Sequence, residues 1–286
     1  MHYSVMLAES LEHLKLQPER VYLDATCGLG GHTGVIARQL TSGRLFSNDR
    51  DAESMAMART ATADCAERIV FSQGPFSTIA ARWRDSGLPR VAGLLADLGV
   101  SRYQLTDAER GFSFQTDGPL DMRMDRSSGE PASDLVNFTA EKELADLIYQ
   151  LGEERSSRQI ARAIVRARPI RTTLHLAGVI ERVVPRTGKI HPATQTFMAL
   201  RLAVNGELDE LQALLADLPA LLEPGARVVF LTFMSTEDRI VKQHFQALAR
   251  EGRATILTKH VVRPSEAEIS NNPASRSAKL RAIEWK

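Results

Sequence analysis

The sequence predicts an α/β fold whose sheet is interrupted by a helical insertion. In the first third of the chain, short apolar runs alternate with helical patterns, which is typical of a parallel sheet with helices on both faces. The alternation stops near Leu105 and resumes after Val204. We therefore predict an α/β domain formed by residues 1–104 and 205–286, and a helical insertion over residues 105–204 that recognises the substrate.

Strands and helices alternate before the predicted insertion. The strands are short apolar runs bounded by turn residues, and the helices are longer segments without Gly or Pro in their second half. The predicted strands cover residues 21–24, 44–49, 68–72 and 91–98. The predicted helices cover residues 33–40 and 52–63.

Helices dominate the predicted insertion, and strands return after it. Residues 140–151 and 155–167 carry apolar side chains at the helical spacing of ~3.6 residues, and residues 193–202 form a third candidate helix. Pro224-Gly225 predicts a turn before a strong strand. The remaining predicted elements are helices over 208–222 and 236–248, and strands over 227–233, 255–262 and 279–285.

Composition excludes several classes of protein. The 36 basic and 35 acidic residues give a net charge of +1, which excludes an acidic disordered chain and a globally polybasic tail. Two cysteines are too few for a disulfide framework, and the seven histidines show no metal-ligand spacing, so we expect no metal. We find no signal peptide and no apolar run near the ~20 residues of a membrane span, so the expected location is the cytoplasm.

A glycine-rich loop after the first predicted strand is the candidate cofactor site. It follows Asp24 and reads ATCGLGGHTG up to Gly34. Glycine lets the backbone turn tightly and approach a ligand, and the helix beyond the loop offers free N–H groups. Dinucleotides and S-adenosylmethionine both bind to such loops. The dinucleotide fingerprint needs a third glycine where this chain has Thr33, so S-adenosylmethionine fits better.

Three acids follow predicted strands and are expected at one edge of the sheet. Asp24, Asp49 and Asp97 close their strands, and ligands of open α/β sheets lie at the carboxyl ends. An acid at the position of Asp49 accepts hydrogen bonds from ribose hydroxyls, whereas the alternative is that Asp24 and Asp49 only cap helices or turns. His32 contacts the cofactor or caps the helix, and both roles stay open. Cys27 is expected to pack rather than to act as a nucleophile.

Motifs along nearly the whole chain resemble those of one family. They are His2-Tyr-Ser-Val5, Gly30-Gly-His32, Asp97-Leu-Gly-Val-Ser101, Arg110-Gly-Phe-Ser-Phe114, Asp117-Gly-Pro-Leu-Asp-Met-Arg-Met-Asp125, Gly152-Glu-Glu-Arg155, His191-Pro-Ala-Thr194, Val204-Asn205, Glu237-Asp-Arg239, Pro264-Ser-Glu266 and Arg276-Ser-Ala-Lys-Leu-Arg281. In these motifs the chain resembles the methyltransferases that make N4-methylcytidine in small-subunit ribosomal RNA, the RsmH or MraW type. The stretch over residues 117–125 is the most specific of them.

The resemblance implies a fold, a cofactor and a substrate. It implies a Rossmann-like methyltransferase sheet with a helical insertion, S-adenosylmethionine as cofactor, and 16S ribosomal RNA of the small subunit as partner, with cytosine 1402 as the family's target. No membrane is implied, and a homodimer stays open. Phe76 follows the third predicted strand, and its ring suits packing on adenine. The implied cofactor contacts are Gly30, Gly31, His32, Asp49, Phe76, Asp97 and Gln104.

The chain departs from the family pattern at several positions. Leu29 stands where the family usually has Arg, Arg102-Tyr103 where it has Ser-Pro, and Met234 where it has His. The segment between Arg250 and Pro264 is shorter than usual. The changes spare the implied cofactor contacts, so they bear on the substrate more than on the cofactor. The other departures are Gln195, Met198 and Ala274.

Methyl transfer to the exocyclic N4 of cytosine needs a positioned acceptor. The nitrogen lone pair is delocalised into the ring, so the amine attacks poorly. A carboxylate that accepts its N–H bonds localises that pair and holds the reacting geometry. Asp97 is the candidate for this catalytic role, and cofactor binding alone is the alternative.

Arginines in the insertion are the candidate RNA-binding surface. Residues 153–171 hold six arginines and two glutamates. Four of the arginines are spaced by three or four residues, so they are predicted to share a helix face that contacts phosphates, with a solvated face as the alternative. Tyr103 and Phe112 are candidates for stacking on an extruded cytosine, with core packing as the alternative. The four arginines are Arg155, Arg158, Arg162 and Arg166.

Three other functions stay open from the sequence. The first is the same chemistry on another RNA, on DNA or on a protein amine or amide, which the departures at Arg102-Tyr103 and Met234 suggest. The second is a ribosome-assembly or RNA-binding factor that keeps S-adenosylmethionine as a structural ligand only. The third is a dinucleotide oxidoreductase, which the missing glycine at Thr33 disfavours.

Overall fold

The chain divides into two compact units. The structure is a computed structural model, and it describes residues 4–186, 188 and 190–286. The first unit runs to Gly99 and includes Asp209–Lys286, and the second unit is Val100–Leu208. The segment predicted as an insertion, residues 105–204, lies inside the second unit.

A seven-stranded sheet forms the centre of the first unit, in the order β3-β2-β1-β4-β5-β7-β6. The first five strands pair in parallel, and β7 runs antiparallel to both β5 and β6. Parallel neighbours require crossover connections, and helices supply them here. This arrangement confirms the predicted α/β, Rossmann-like class. The strands are β1 (Val21–Asp24), β2 (Arg44–Asp49), β3 (Ile69–Gln73), β4 (Val91–Asp97), β5 (Leu222–Thr232), β6 (Ala254–Ile256) and β7 (Lys279–Trp285).

Helices connect the strands of the first unit and make up most of the second. Among the described residues, no helix is long and apolar enough to cross a membrane. In chain order the helices are α1 (Leu7–Leu14), α2 (Gly31–Gln39), α3 (Ala52–Ala61), α4 (Ile79–Asp85), α5 (Arg102–Thr106), α6 (Ala132–Phe138), α7 (Glu141–Gly152), α8 (Ser157–Ala167), α9 (Thr173–Glu181), α10 (Thr194–Asn205), α11 (Glu207–Leu221), α12 (Ser235–Arg250) and α13 (Glu266–Asn271).

Helices cover both faces of the sheet. Successive side chains of a strand point to opposite sides, so each strand contributes to a core on either face. Leu23, Phe46 and Leu94 lie in an apolar cluster that includes buried side chains of α11 and α12. Their neighbours Tyr22 and Leu45 lie in the opposite cluster, with buried side chains of α1 and α2. The strands therefore contribute to two apolar cores, one on each face of the sheet.

The elements at the end of the chain differ from the prediction in length. The strand expected over residues 255–262 is only β6, which ends at Ile256, and Val262 makes an isolated bridge to Leu280. β5 begins before the expected turn, because Val91 pairs with Leu222 and Gly93 with Arg227, so the residues between bulge out of the sheet. The expected turn at Pro224-Gly225 lies within that bulge.

The second unit is helical around a core of its own. Its described residues contain no strand beyond the isolated bridge between Pro119 and Thr172. Buried side chains of α7, α8, α9 and α10 share one apolar cluster. α7 and α10 approach closely at Gly152, where a Cβ atom would lie 2.5 Å from the carbonyl oxygen of Gln195. Only glycine permits this contact, which accounts for the glycine in the motif that ends at Arg155.

The specific stretch over residues 117–125 folds around a buried arginine. Arg110 is 1% exposed, and its guanidinium donates hydrogen bonds to the carbonyl oxygens of Arg123 and Met124, at 3.1 and 3.0 Å. Asn205 accepts from the Met124 N–H and donates to the carbonyl oxygen of Met122, both at 2.8 Å. Three separate motifs of the family pattern therefore build one scaffold.

We expect replacement of Arg110 by methionine to destabilise the second unit. Methionine fills a similar volume but leaves two buried carbonyl oxygens without these donors, which costs roughly 2–5 kcal/mol. Urea unfolding measures the loss. The control is Arg162→Met, because Arg162 is exposed and lies 3.5 Å from the exposed Glu141 in the same unit, and such surface pairs contribute about 1 kcal/mol or less. Equal unfolding of the two variants would contradict the scaffold role of Arg110.

Candidate active site

Three carboxylates lie at one edge of the sheet in the first unit. Asp24, Asp49 and Asp97 are the last residues of β1, β2 and β4. These strands are neighbours and run parallel, so their carboxyl ends share one edge. The glycine-rich loop leaves the same edge to enter α2. The arrangement brings together the three acids and the loop that the sequence singled out.

Asp24 holds the glycine-rich loop from within. Its side chain is fully buried, and it accepts a hydrogen bond from the Thr33 hydroxyl at 2.6 Å and from the Thr26 N–H at 3.1 Å. Burial raises the pKa of Asp24, while the hydrogen bonds from Thr33 and Thr26 act in the opposite direction. Asp24 thus ties both ends of the loop together, which is the structural role that the sequence left open.

Gly30 makes the turn into α2 in a left-handed conformation. It is the N-cap residue, with φ of 86°, a region that side-chain-bearing residues rarely adopt. A Cβ atom at this position would lie 3.1 Å from the Cα atom of Ala58. Gly31 follows as the first residue of α2. The loop geometry therefore requires glycine at residue 30.

Asp49 connects the end of β2 to the loop. Its carboxylate accepts hydrogen bonds from the Gly28 N–H at 2.6 Å and from the Asp51 N–H at 2.9 Å. Burial raises the pKa of Asp49 to about 6, although both hydrogen bonds lower it. The carboxylate is therefore ionised at neutral pH and is held against the backbone of the loop.

Asp97 carries a buried carboxylate oxygen that lacks a donor. Its backbone N–H donates to the Thr26 hydroxyl at 2.7 Å. The side chain keeps 23% exposure, yet Oδ1 is buried and accepts no hydrogen bond from any residue that the structure describes. Burial, followed by the negative charges of Asp24, Glu237 and Glu268, raises the pKa of Asp97 to about 8. Such an unsatisfied acceptor fits a ligand that brings an N–H or O–H donor.

His32 joins Asp97 to the beginning of the chain. Its ring is buried, and Nε2 lies 3.2 Å from the carbonyl oxygen of Val5. A carbonyl oxygen only accepts, so Nε2 carries a proton. Nδ1 lies 3.7 Å from Oδ2 of Asp97, which is too far for a hydrogen bond.

Two glutamates near Asp97 were not identified from the sequence. Glu268 accepts a hydrogen bond from the Met6 N–H at 2.7 Å, across 262 residues of chain. Glu237 is buried and accepts from the backbone N–H groups of Phe233 and Met234, both at 3.1 Å. Met234, which replaces the family's histidine, is itself 8% exposed. Glu237 stood in a matched motif, but no local pattern pointed to Glu268.

Cys27 and Phe76 complete the loop region. Burial and the neighbouring Asp24 raise the pKa of the Cys27 thiol to about 12, so the thiol stays protonated at neutral pH and is a poor nucleophile. Phe76 opens a short 3-10 turn after β3 and is half-buried against the core. The Asn48 side chain supports this turn, because it donates to the carbonyl oxygen of Gly74 at 3.0 Å.

The remaining candidates lie in the second unit. Gln104 is buried on α5, where its side-chain oxygen accepts from the Ser101 N–H at 2.8 Å in a capping box. Tyr103 is half-buried beside it. Phe112 is 7% exposed and belongs to the apolar core, which favours the packing interpretation for this ring.

Three of the four candidate arginines are exposed on one helix. Arg158, Arg162 and Arg166 lie on α8. The prediction that Arg155 shares their helix is wrong, because α8 begins at Ser157 and Arg155 lies in the preceding turn. The sequence spacing extended the helix by two residues, and no cap residue marked its true start, since Ser156 makes no side-chain cap.

Comparison with known proteins decides the family. The MraW methylase family matches the chain over residues 1–286. The chain belongs to the MraW methylase family. A ribosomal RNA small subunit methyltransferase H from Solibacter usitatus is 61% identical over 286 residues, which cover all of both chains. A protein of the same name from Koribacter versatilis is 47% identical, and the match covers 98% of this chain and 93% of the relative.

The family confirms the methyltransferase class and the S-adenosylmethionine cofactor predicted from the motifs. The resemblance to the small-subunit ribosomal RNA methyltransferases that the motifs indicated is thereby confirmed. Among solved structures, an rRNA methylase from Streptococcus thermophilus is a more distant likeness. It is 12% identical, covers 97% of this chain and 94% of its own, and has a TM-score of 0.44.

Proposed function

We propose that this enzyme methylates the exocyclic N4 of a cytosine in 16S ribosomal RNA of the small subunit. Asp97 carries the proposal, because its buried Oδ1 lacks a donor at the end of a strand beside the cofactor loop. A cytosine amine offers the N–H that this oxygen accepts. The names of the two bacterial relatives support the small-subunit ribosomal RNA as substrate.

The residues at the sheet edge fit S-adenosylmethionine. The left-handed turn at Gly30 leads the loop into α2 with no side chain at that residue, and the carboxylate of Asp49 suits the ribose hydroxyls. The half-buried ring of Phe76 suits the adenine. Gln104, whose side chain serves the capping box of α5, stays a prediction as a contact. The proposed binding residues are Gly30, Gly31, His32, Asp49, Phe76, Asp97 and Gln104.

Asp97 performs the proton chemistry in the proposed mechanism. S-adenosylmethionine, when bound, supplies the methyl group as an electrophilic sulfonium. Asp97 accepts a hydrogen bond from the cytosine amine, which orients its lone pair, and takes the proton that the nitrogen releases on methylation. His32, whose Nε2 donates to the carbonyl oxygen of Val5, lies beside this carboxylate, with Nδ1 3.7 Å from Oδ2.

The affinity for S-adenosylmethionine is expected to increase as the pH rises through about 6. Asp49 ionises there, and a carboxylate accepts hydrogen bonds from hydroxyls more strongly than a neutral acid does. Asp49→Asn should weaken binding roughly 10- to 100-fold at pH 7 and remove the step in affinity. Titration calorimetry at pH 5, 6 and 7 measures both effects, and a step that persists in the variant would exclude Asp49 as its source.

We further propose that the second unit binds the RNA substrate. The exposed arginines of α8 support this role, since Arg158, Arg162 and Arg166 present positive charge that matches phosphates. Arg155 lies just before that helix and is also exposed. Tyr103 is proposed as a contact to the extruded base.

Transfer of labelled methyl groups tests the substrate. The purified protein is incubated with labelled S-adenosylmethionine and, separately, with small ribosomal subunits, free ribosomal RNA, DNA and ribosomal proteins. Label in 16S ribosomal RNA is expected. Label in DNA or protein alone would show the same chemistry on another target, and bound cofactor with no transfer to any substrate would favour an assembly factor.

A further inference from the structure

An aromatic ring in the second unit lies in solvent rather than in the core. Phe138, the last residue of α6, keeps 82% of its surface exposed. A single exposed apolar side chain has little meaning alone, so its surroundings decide whether it has a partner.

The backbone that carries Phe138 is held on both sides. The Asn137 side chain donates to the carbonyl oxygen of Ile170 at 2.7 Å and accepts from the Ile170 N–H at 2.8 Å. On the other side, the guanidinium of Arg168 donates to the carbonyl oxygen of Thr139. The ring is therefore presented from a fixed backbone, which lowers the entropy that a bound partner would cost.

The same contacts place Phe138 beside a concentration of positive charge. Residues 158–171 contain five arginines and no acid. Arg168 and Ile170 belong to this segment, and Glu141, three residues after Phe138, lies 3.5 Å from Arg162. We name these five residues the α8 arginine surface: Arg158, Arg162, Arg166, Arg168 and Arg171.

The charge of the α8 arginine surface is available to an anionic partner. Arg158, Arg166 and Arg171 are exposed, and the pair of Arg162 with Glu141 is exposed on both sides, so it contributes little and a phosphate can replace it. A polyanion with unstacked aromatic groups complements both the charge and the ring.

We propose that Phe138 stacks on one unpaired nucleobase of an RNA substrate while the α8 arginine surface binds the flanking phosphates. An aromatic ring stacks on any base, and a cationic surface follows the backbone, which together favour single strands over duplexes. The identity of the ligand as RNA rests on the proposed function. The site itself adds a binding determinant outside the cofactor loop.

Fluorescence anisotropy with a labelled pyrimidine-rich RNA of about ten nucleotides tests the site, since single-strand sites span roughly this length. Phe138→Ala and Phe138→Leu should weaken binding roughly 5- to 100-fold, the contribution of one stacked base. Phe138→Trp should retain the affinity, because the ring is kept. The control Tyr149→Ala removes another exposed ring, 60% exposed on α7, and should bind like the wild type.

The salt dependence separates the two parts of the site. The slope of log affinity against log salt should be unchanged in Phe138→Ala, whereas Arg166→Gln should reduce its magnitude by about 0.7, the value for one phosphate contact on a single strand. A duplex of the same sequence should bind equally to the wild type and Phe138→Ala.

Three results would overturn the stacking site. They are wild-type affinity in Phe138→Ala, a similar loss in Tyr149→Ala, and a change of oligomeric state in Phe138→Ala without a change in RNA affinity, which would assign the ring to contact between copies. Label transfer by the same wild-type preparation keeps the proposed function separate. If the wild type transfers label to 16S ribosomal RNA but Phe138→Ala binds RNA normally, the stacking site alone is rejected. If Phe138→Ala binds RNA more weakly but the wild type transfers no label to 16S ribosomal RNA, the proposed function alone is rejected.

Discussion

Asp97→Asn is expected to reduce methyl transfer by about 10²–10⁴-fold, the usual contribution of a positioned proton acceptor. Asparagine keeps the size of the side chain but cannot take the proton from the cytosine amine. Initial rates with saturating S-adenosylmethionine and small subunits measure the loss. The control Asp64→Asn removes an exposed carboxylate of the same unit, 58% exposed and paired with Arg38, and should leave the rate unchanged.

The pH dependence gives a second signature of Asp97. Because its pKa of about 8 governs the base form, log kcat/KM should rise with pH up to about 8 and then level, whereas Asp97→Asn should lack this rise. Stability changes in the opposite sense. The pKa of this carboxyl is 3.8 when unperturbed and about 8 in the folded protein, so the folded state holds the proton more tightly. Its contribution to the free energy of unfolding is therefore fully present below about pH 4 and is lost as the pH rises to about 8.

A different outcome for Asp97→Asn would reassign the residue. Unchanged methyl transfer would remove it from the chemistry and leave cofactor binding as its role. Lost transfer with every cellular phenotype intact would instead show that the protein serves the cell without catalysis, as an assembly factor does.

Gly30→Val is expected to abolish detectable S-adenosylmethionine binding. Valine at φ of 86° is strained, and its Cβ would lie 3.1 Å from the Cα of Ala58, so the turn into α2 must shift. The shift moves the backbone that we propose to contact the cofactor. Titration calorimetry at pH 7 measures the affinity.

Gly225→Val is the matched control for backbone strain. Gly225 has φ of 84° but lies in the bulge of β5, and no heavy atom beyond its chain neighbours lies within 4 Å of its Cβ position. Its variant should lose a similar amount of stability from the backbone and keep the cofactor affinity. If Gly30→Val binds S-adenosylmethionine normally, or if both variants lose binding alike, the loop is not the cofactor site.

The sheet edge was predictable because its signals are local. Each strand with Asp24, Asp49 or Asp97 at its end is a short apolar run, and the glycine-rich loop directly follows one of them. Parallel pairing then places the strand ends together without any knowledge of the side-chain contacts. The bounds of β1, β2 and β7 match the expected ones for the same reason.

The electrostatics of the site were not predictable, because they arise from residues far apart in the chain. The hydrogen bond between Met6 and Glu268 joins residues from opposite ends of the chain, and Glu237 lies on α12, which follows the second unit in sequence. These contacts follow from tertiary packing, which leaves no periodic trace in the sequence. Burial raises the pKa of Asp97 most, and the negative charges of Asp24, Glu237 and Glu268 raise it further.

The role of Arg110 was hidden for a similar reason. An arginine in a polar stretch suggests a surface position, since arginine is almost never fully buried. Here Nη2 of its guanidinium donates to the carbonyl oxygens of Arg123 and Met124 within the second unit. The stretch over residues 117–125, which is highly specific to the family, is therefore a structural scaffold here. The family specificity of a motif alone does not show whether it belongs to a scaffold or to an active site.

Identification of the methylated nucleoside tests the central claim most directly. RNA from small subunits treated with the enzyme and labelled S-adenosylmethionine is digested to nucleosides, which are separated and identified by mass and retention against standards. We expect the label in N4-methylcytidine with the wild type and its near absence with Asp97→Asn. Label in 5-methylcytidine, in a 2′-O-methylated nucleoside or in another base would contradict transfer to the exocyclic amine and the role of Asp97 derived from it.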